Sequence, residues 1–500
     1  MKSMKRIISI LLALVTLLSA MMIVSCAPQE EPSGDTVSTE LEELTMADIL
    51  GFDKQDNQQK KFTIMNNGRF DFTERDFYVA DSTADNLSKA IYERNVACEE
   101  YLGITLEIDK SPNAKDNTNS DQVNRQVMAG GTCTYDMVLA GHGQFFFVPI
   151  GTWSNILEMD YINFDHEWWV KGTLDHLAIN NQLYILVGDA CPSMYSYVGT
   201  TFVNLAVADE YQINVDFYDL VKSGNWTLDE FFRIFKLVGE GKDTIDLSID
   251  TVGWLNHGIS GRFLFTSAGL EMIQRQADGT FALRKSLDTR ITDYVARMYS
   301  AFEDPHSEYT GDDSTMIKSF TDDRALLVTT YLGQAEKFRS NNMDSPFAIL
   351  PMPKYDDNQE DYIASNAGAF DAMGFPKTVA STDLCGQVAE FMGYYGKTYV
   401  IPEYYDVKLK YKDNDVAANI EMLDLIREKL IITPNESYGS IKPAGDGQNE
   451  MMYYTQLTYY TTGKRGSGDV AFYANPTSLW ERKAPTAATT IKNYVLTYFM

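Results

Sequence analysis

Histidine and cysteine are both scarce in this sequence. The 500 residues include five of each, and no CxxC, HxxxH or HExxH spacing occurs among them. Most structural and catalytic zinc sites depend on ligand spacings of this kind. The sequence therefore argues against a metal site, and we expect none.

Positive charge is also in short supply. Lysine and arginine number 42 against 70 aspartates and glutamates, so the formal net charge is −28. Such an acidic surface repels nucleic acid, which argues against a nucleic-acid partner. The motifs GxSxG, GxGxxG and the P-loop are missing as well. We therefore expect a non-enzymatic protein with no catalytic residue and no cofactor.

A long apolar run occurs once, at the amino terminus. The mostly apolar stretch from Ile7 to Val24 follows a short basic segment, which is the pattern of a secretory signal. Ser25 and Cys26 end this run, and the sequence Ile-Val-Ser-Cys resembles a bacterial lipobox. The resemblance implies a lipid on Cys26 and a place on the extracytoplasmic face of the cell membrane. The alternative is a plain transmembrane anchor, because about 18 apolar residues can span a bilayer.

Four cysteines remain once Cys26 is set aside. They are Cys98, Cys133, Cys191 and Cys385. Export would permit two disulfides among them, whereas four buried free thiols fit the wide spacing equally well. The spacing leaves both alternatives open.

Strands and helices alternate in the first part of the folded region. Lys61–Asn67, Ile104–Ile108 and Tyr135–Ala140 are predicted strands, and Asp85–Leu102 and Asp121–Ala129 are predicted helices. This order predicts a parallel sheet covered by helices. Ligands bind beyond the carboxyl ends of the strands in such sheets. The loops after the first and third strands supply the candidates Asn67, Arg69, His142 and Gln144.

The rest of the chain has equally regular signals. Tyr195–Val203 is a predicted strand, on which Tyr195 and Tyr197 would share one face. Thr227 and Glu230 have the spacing of a capping box, which predicts the start of a helix. Apolar residues at intervals of three and four predict helices over Thr382–Lys397 and Val416–Leu430.

Several short segments, in a fixed order, resemble those of one protein family. The most specific is Tyr218–Asp229 (YDLVKSGNWTLD). The others are Ala90–Asn95 (AIYERN), Trp168-Trp169 followed by Asn181–Tyr184 and Gly188-Asp189, Phe347–Asp356 (FAILPMPKYD), and Tyr404-Tyr405 with Leu409-Lys410 and Asp413. Together they resemble the family 1 extracellular solute-binding proteins, the lipoprotein components of ABC sugar importers. The resemblance covers residues from about 60 to 430.

This resemblance implies an α/β, bilobal periplasmic-binding-protein type II fold, with two sheet-and-helix lobes joined by a multi-strand hinge. The expected parts are a lipoprotein signal peptide and lipobox at 1–26, a disordered tether at 27–58, lobe 1 at 59–190 and 346–403, lobe 2 at 191–345, and mainly lobe 2 helices with a C-terminal segment at 404–500. Ligand would enter between the lobes, which would close by a hinge motion.

The resemblance also implies a function. We expect a monomer that captures a carbohydrate, an oligosaccharide in particular, and delivers it to the permease subunits of an ABC transporter. A second hypothesis is a non-transport surface lipoprotein that uses the same clamp for glycan capture, adhesion or sensing.

A sugar ring has polar edges and apolar faces, so its site combines aromatic side chains with groups that bond hydroxyls. Trp168, Trp169 and Asp189 lie near the expected crossing between the lobes, and Trp254 lies in a predicted loop. The complete set of expected ligand contacts is Asn67, Arg69, His142, Gln144, Trp168, Trp169, Asp189, Tyr195, Tyr197, Trp254, Tyr331 and Phe370.

Overall fold

Two β-sheets organise the folded part of the chain. The structure is a computed structural model that describes residues 44–66, 76–110, 118–146, 148, 150–366, 368, 370–409, 416–438 and 476–494. The strands are β1 (Lys60–Asn66), β2 (Ile104–Lys110), β3 (Met137–Gly141), β4 (Gly199–Asn204), β5 (Val252–His257), β6 (Ile273–Arg275), β7 (Phe281–Leu283), β8 (Ser307–Thr310), β9 (Ala325–Tyr331), β10 (Phe347–Pro351) and β11 (Asp371–Gly374).

Helices cover both sheets. They are α1 (Met46–Leu50), α2 (Asn86–Leu102), α3 (Thr118–Met128), α4 (Thr173–Leu177), α5 (Leu205–Glu210), α6 (Phe217–Lys222), α7 (Leu228–Phe235), α8 (Ser260–Ser267), α9 (Thr289–Phe302), α10 (Asp313–Thr321), α11 (Gln334–Ser340), α12 (Thr382–Tyr395), α13 (Ile401–Leu409), α14 (Val416–Glu428), α15 (Pro434–Tyr438) and α16 (Pro476–Tyr494). Within the described ranges, no helix is both long enough and apolar enough to cross a membrane.

The first sheet has the strand order β11-β3-β1-β2. Strand β1 pairs in parallel with β2 and β3, and β11 runs antiparallel to β3. Phe62 and Ile64 of β1 are buried in the apolar cluster on one face of the sheet. Met65, which points to the opposite face, is buried in a second apolar cluster. Burial on both faces is the requirement of a parallel sheet covered by helices, which the sequence predicted.

The second sheet has the strand order β10-β4-β9-β5-β8. Strand β5 is parallel to both β8 and β9, and β4 is antiparallel to β9, with Gly199 opposite Tyr331. The carboxyl ends of β5, β8 and β9 therefore lie at one edge of the sheet. The amino end of β4, where the chain enters from the first sheet, lies at the same edge.

Side-chain caps fix the starts of the predicted helices. Helix α2 begins where the Asp85 carboxylate accepts a hydrogen bond from the backbone N–H of Ser88, 2.6 Å away. At α7, Thr227 Oγ1 accepts from the backbone N–H of Glu230 at 3.4 Å. The helix predictions at both places are confirmed, and the boundaries differ by one residue at each start.

Side-chain hydrogen bonds also hold helices against neighbouring strands. Arg275, on the β6-β7 hairpin, donates to the backbone carbonyls of Asp175 and Ala178 at the end of α4, at 2.8 and 3.0 Å. Helix α14 is held against β10 because Asn419 accepts from the Ile349 N–H at 2.8 Å. These contacts satisfy backbone groups left open at the end of a helix and along an edge strand.

Three expectations need correction. Tyr195–Val203 is not one strand, because Pro192–Tyr197 forms a 3-10 helix and β4 starts at Gly199. Proline at the first helical position presets the helical φ, which explains the turn.

Trp254 lies within β5, not in a loop beyond it. Helix α1 lies inside the expected 27–58 tether, and its Leu50 is buried, so the folded part starts before residue 59.

The four cysteines beyond Cys26 are free and buried thiols. Burial raises the pKa of Cys98 and Cys385 far above the ordinary thiol value. They behave as small apolar residues of the first sheet's core. Of the two alternatives left by the sequence, the structure shows the free thiols.

The helix predicted over Thr382–Lys397 continues further than expected. Helix α12 passes into a π-helix at Gly396–Val400 and then into α13. A Cβ atom on Gly396 would lie 2.2 Å from the carbonyl oxygen of Asp189, so glycine permits this close approach of two backbones. The widened turn thus brings the helix onto the segment that joins the two sheets.

Candidate binding cleft

Polar and aromatic side chains meet at the carboxyl edge of the second sheet. His257 ends β5, Tyr331 ends β9, and Asp313 begins the helix that follows β8. The Asp313 carboxylate accepts from Tyr331 Oη at 2.8 Å, and His257 Nε2 lies 2.8 Å from its other oxygen. The rings of Tyr197 and Tyr331 stack, with centroids 5.0 Å apart and planes 25° from parallel.

The Asp313 carboxylate is the electrostatic centre of this edge. Its hydrogen bond with His257, followed by those from Tyr331 and Gln334, holds the pKa of Asp313 far below its usual value. Gln334 Nε2 donates at 3.0 Å, and Lys337 Nζ lies 3.3 Å away. Asp313 therefore remains charged at any physiological pH, and it fixes the orientation of the Tyr331 ring.

This arrangement suits a ligand with apolar faces and hydroxyl edges. The stacked tyrosines Tyr197 and Tyr331 provide a flat aromatic surface. Asp313 and Lys337 are 40% and 48% exposed, so both reach the solvent beside that surface. A carboxylate accepts from hydroxyl groups and an ammonium donates to them, which is the combination that binds sugars. We call Tyr197, His257, Asp313, Tyr331 and Lys337 the tyrosine edge.

The carboxyl edge of the first sheet has a second aromatic pair. His142, directly after β3, stacks on Phe370, with ring centroids 4.3 Å apart and planes 10° from parallel. The His142 backbone N–H also donates to the Phe370 carbonyl at 3.1 Å. Nearby in sequence, Asn366 is fully buried, and its side-chain amide has no hydrogen-bond partner among the described residues. A buried unpaired amide is costly, which makes Asn366 a further candidate for ligand contact.

A buried carboxyl group lies where the chain leaves the first sheet. Asp76 accepts hydrogen bonds from the backbone N–H of Ser193, at 2.8 Å, and from its hydroxyl. Arg94 donates to the carbonyls of Asp76 and Ala190. Burial raises the pKa of Asp76 to about 8, against the hydrogen bonds of Ser193, which lower it. These bonds fasten the crossing segment to α2, whereas burial leaves Asp76 largely neutral near pH 7.

A cavity of about 310 Å³ lies between the first sheet's segments and α14. Its walls comprise Glu167, Trp169, Val170, Lys171, Tyr195, Lys397, Asp424, Arg427 and Glu428. Beneath it lies Asp189, which is 1% exposed and accepts from Tyr195 Oη at 2.5 Å and from the Arg427 guanidinium. Burial raises the pKa of Asp189, and the charge of Arg427 opposes this shift. We call this space the hinge cavity.

The double tryptophan is anchored in the first lobe. Trp168 and Trp169 are 5% and 3% exposed. Trp169 Nε1 donates to the buried carboxyl group of Glu390 at 3.2 Å, and the backbone N–H of Asn163 approaches the same oxygen at 3.4 Å. His166 Nδ1 also bonds Glu390. Burial raises the pKa of Glu390 to about 8.

We expect Glu390 to make stability depend on pH. Its pKa is raised from 4.5 in the folded state, so the stability associated with its protonated form is lost as pH rises toward about 8. The variant Glu390→Gln keeps the hydrogen bonds but cannot ionise. Relative to the native chain, it should gain about 1–2 kcal/mol between about pH 6.5 and about pH 8.5, as measured by urea unfolding. An equal pH slope for both chains would contradict this assignment.

The structure distributes the twelve expected contact residues over several places. Tyr197 and Tyr331 lie together at the tyrosine edge, and His142 and Phe370 lie together at the other sheet edge. Trp169 and Tyr195 line the hinge cavity above Asp189, while the Trp168 ring packs against His166 and Tyr394. Trp254 is fully buried and stacks on Phe302. The expected positions outside the described part are Asn67, Arg69, the side chain of Gln144 and the lipidation site Cys26.

Sequence reasoning missed several residues of these sites. His257 is the last residue of the buried strand β5, so the rule on strand ends could have found it. Asp313 follows the polar strand β8 (SEYT), which has no apolar signal. Arg427 lies 238 positions from its partner Asp189, so nothing local in the sequence indicates the pair. Among the described residues, no cluster of three or more His, Cys, Asp or Glu side chains could hold a metal ion.

Several solved structures have a similar fold. The galacto-N-biose/lacto-N-biose I-binding protein of an ABC transporter from Bifidobacterium longum has a TM-score of 0.55 at 12% identity, over 88% of this chain and 98% of that one. A cyclo/maltodextrin-binding protein complexed with maltotetraose has 0.53 at 13% identity, over 89% and 99%. RafE from Streptococcus pneumoniae has 0.52 at 12% identity, over 86% and 99%. No family model and no curated protein matches the sequence.

The protein therefore has the bilobal periplasmic-binding-protein type II fold, and the fold prediction is confirmed. At these identities the likeness defines the fold and leaves the ligand to be argued from the site. Two of these structures are named as binding proteins, and one of the two as a component of an ABC transporter.

Proposed function

We propose that this chain is a solute-binding protein of the family 1 type that captures a carbohydrate between its two lobes and delivers it to an ABC transporter permease. It would act on the extracytoplasmic face of the cell membrane, held there by a lipid on Cys26. The tyrosine edge carries the proposal, because it places stacked aromatic rings beside a charged carboxylate at the edge of a sheet.

Two features of the described residues, and the names of proteins with a similar fold, support a sugar over other solutes. The aromatic pair offers a face for the apolar side of a sugar ring. Asp313 and Lys337 stand beside that face and supply one acceptor and one donor for neighbouring hydroxyls. The proteins of similar fold are named for lacto-N-biose and for maltotetraose. The arrangement favours a neutral ligand, since the charges of Asp313 and Lys337 compensate each other.

The proposal is tested by isothermal titration of the full-length chain in detergent against raffinose, lacto-N-biose, maltotetraose and a wider glycan panel, with peptides and amines as comparison ligands. We expect saturable binding of at least one glycan, in the micromolar range that is common for small-molecule sites. Tryptophan fluorescence measured in the same titration reports lobe closure. Binding of a peptide or an amine, with no response to any glycan, would overturn the carbohydrate assignment.

A further inference from the structure

The charged side chains that line the hinge cavity differ in how far they are exposed to solvent. The inner cations Lys397 and Arg427 have side chains that are 28% and 21% exposed. The carboxylates at its rim are much more exposed, with 77% for Glu167 and 55% for Glu428. The buried Asp189 compensates Arg427, and Lys171 at the rim is 68% exposed, so Lys397 is the inner cation that depends on an exposed carboxylate.

The carboxylates paired with the two inner cations differ in burial. Arg427 is bound to Asp189, which is fully buried and also held by Tyr195. Lys397 pairs with Glu167, whose carboxylate lies mostly in water. Exposed ion pairs of this kind contribute only about 0–1 kcal/mol. A carboxylate brought by a ligand can therefore replace Glu167 on Lys397 at small cost.

The two cations also repel each other. Burial, followed by the neighbouring Arg427 charge, lowers the pKa of Lys397. An anion placed between the two side chains would relieve this repulsion. Asp424, Arg427 and Glu428 share one face at the end of α14, because residues three and four apart are neighbours on a helix. A ligand that meets Arg427 thus finds carboxylates on the same helix face.

We propose that the hinge cavity binds a small zwitterion, a compound with one carboxylate and one ammonium group, such as an amino acid. The carboxylate would face Lys397 and Arg427, and the ammonium group would face Asp424 and Glu428. The volume of about 310 Å³ lies at the lower end of the range for ligand pockets. This site is separate from the tyrosine edge and does not depend on the carbohydrate assignment.

The test uses a graded series of ligands on the full-length chain in detergent. Glycine, 4-aminobutyrate and 6-aminohexanoate separate the two charges by increasing distances. Butyrate and butylamine carry one charge each and serve as controls. Isothermal titration should show saturable binding of at least one zwitterion, at least about tenfold tighter than either control.

Two substitutions should have opposite effects on that binding. Lys397→Gln removes the replaceable cation and should weaken binding about tenfold or more. Glu167→Gln removes the competing carboxylate and should tighten binding roughly two- to fivefold. Lys318→Gln, which alters an exposed ion pair elsewhere, and Tyr331→Ala, at the tyrosine edge, should leave it unchanged.

Opposite signs separate a binding role from a structural one, because damage to the fold would weaken binding in both variants. The proposal is wrong if no zwitterion of the series saturates, if butyrate alone binds as tightly, or if Lys397→Gln binds like the native chain. Absence of glycan binding by the native chain, with its zwitterion binding intact, would overturn the carbohydrate assignment alone.

Discussion

Replacing Tyr331 with alanine should weaken glycan binding about a hundredfold, or ~2.7 kcal/mol, in isothermal titration. The substitution removes one ring of the stacked pair and exposes the face of Tyr197. It also removes one of the hydrogen bonds that the Asp313 carboxylate accepts. A loss of this size is typical of an aromatic side chain at the centre of a binding site.

A second variant separates the two contributions of Tyr331. Tyr331→Phe keeps the ring and loses only the hydroxyl, so it should retain most of the affinity. Tyr299→Ala, on α9 of the same lobe, removes a tyrosine that is 36% exposed and lies away from the edge, and should bind like the native chain. Equal affinities for Tyr331→Ala and Tyr299→Ala would show that the ligand binds elsewhere.

The fold could be predicted where apolar periodicity dominates. Strand β2 and the helices α2 and α14 each have a buried face that repeats at the period of their element, and the sequence reveals that repetition. Strand β3 and helix α12 are buried nearly throughout, and their apolar runs revealed them. The failures occurred where one residue overrides the pattern. Pro192 turns an apparent strand into a 3-10 helix, although the alternation of Tyr195 and Tyr197 favours a strand.

The candidate sites were harder to predict than the fold. Trp254 has the residue type of a sugar contact, but the surrounding aromatic side chains bury it within β5. Tyr331 was identified because it follows a predicted apolar strand. Asp313 is 18 positions away in sequence, and only the folded sheet brings its carboxylate to the Tyr331 hydroxyl. The hinge cavity combines residues from 167 to 428, so its charge arrangement arises from tertiary packing and has no local signature.

The pair of Asp189 and Arg427 should be the most sensitive point of the described structure. Arg427→Met leaves the Asp189 carboxylate buried with no opposite charge. Removing one partner of a buried ion pair costs about 3–5 kcal/mol, which urea unfolding at pH 7 should detect. Lys222→Met breaks an exposed pair with Glu421 and should change the free energy of unfolding by less than about 1 kcal/mol.

The double variant Arg427→Met with Asp189→Asn identifies the cause of that loss. Asparagine is neutral and can still accept the Tyr195 hydroxyl, so the double variant should recover most of the lost stability. The single variant should also lose less stability near pH 4 than at pH 7. Burial already raises the pKa of Asp189, and removal of Arg427 raises it further, so its stabilising neutral form is lost as pH rises above the ordinary aspartate value. Equal destabilisation of both variants at every pH would mean that Arg427 acts through packing, because charge alone predicts the recovery.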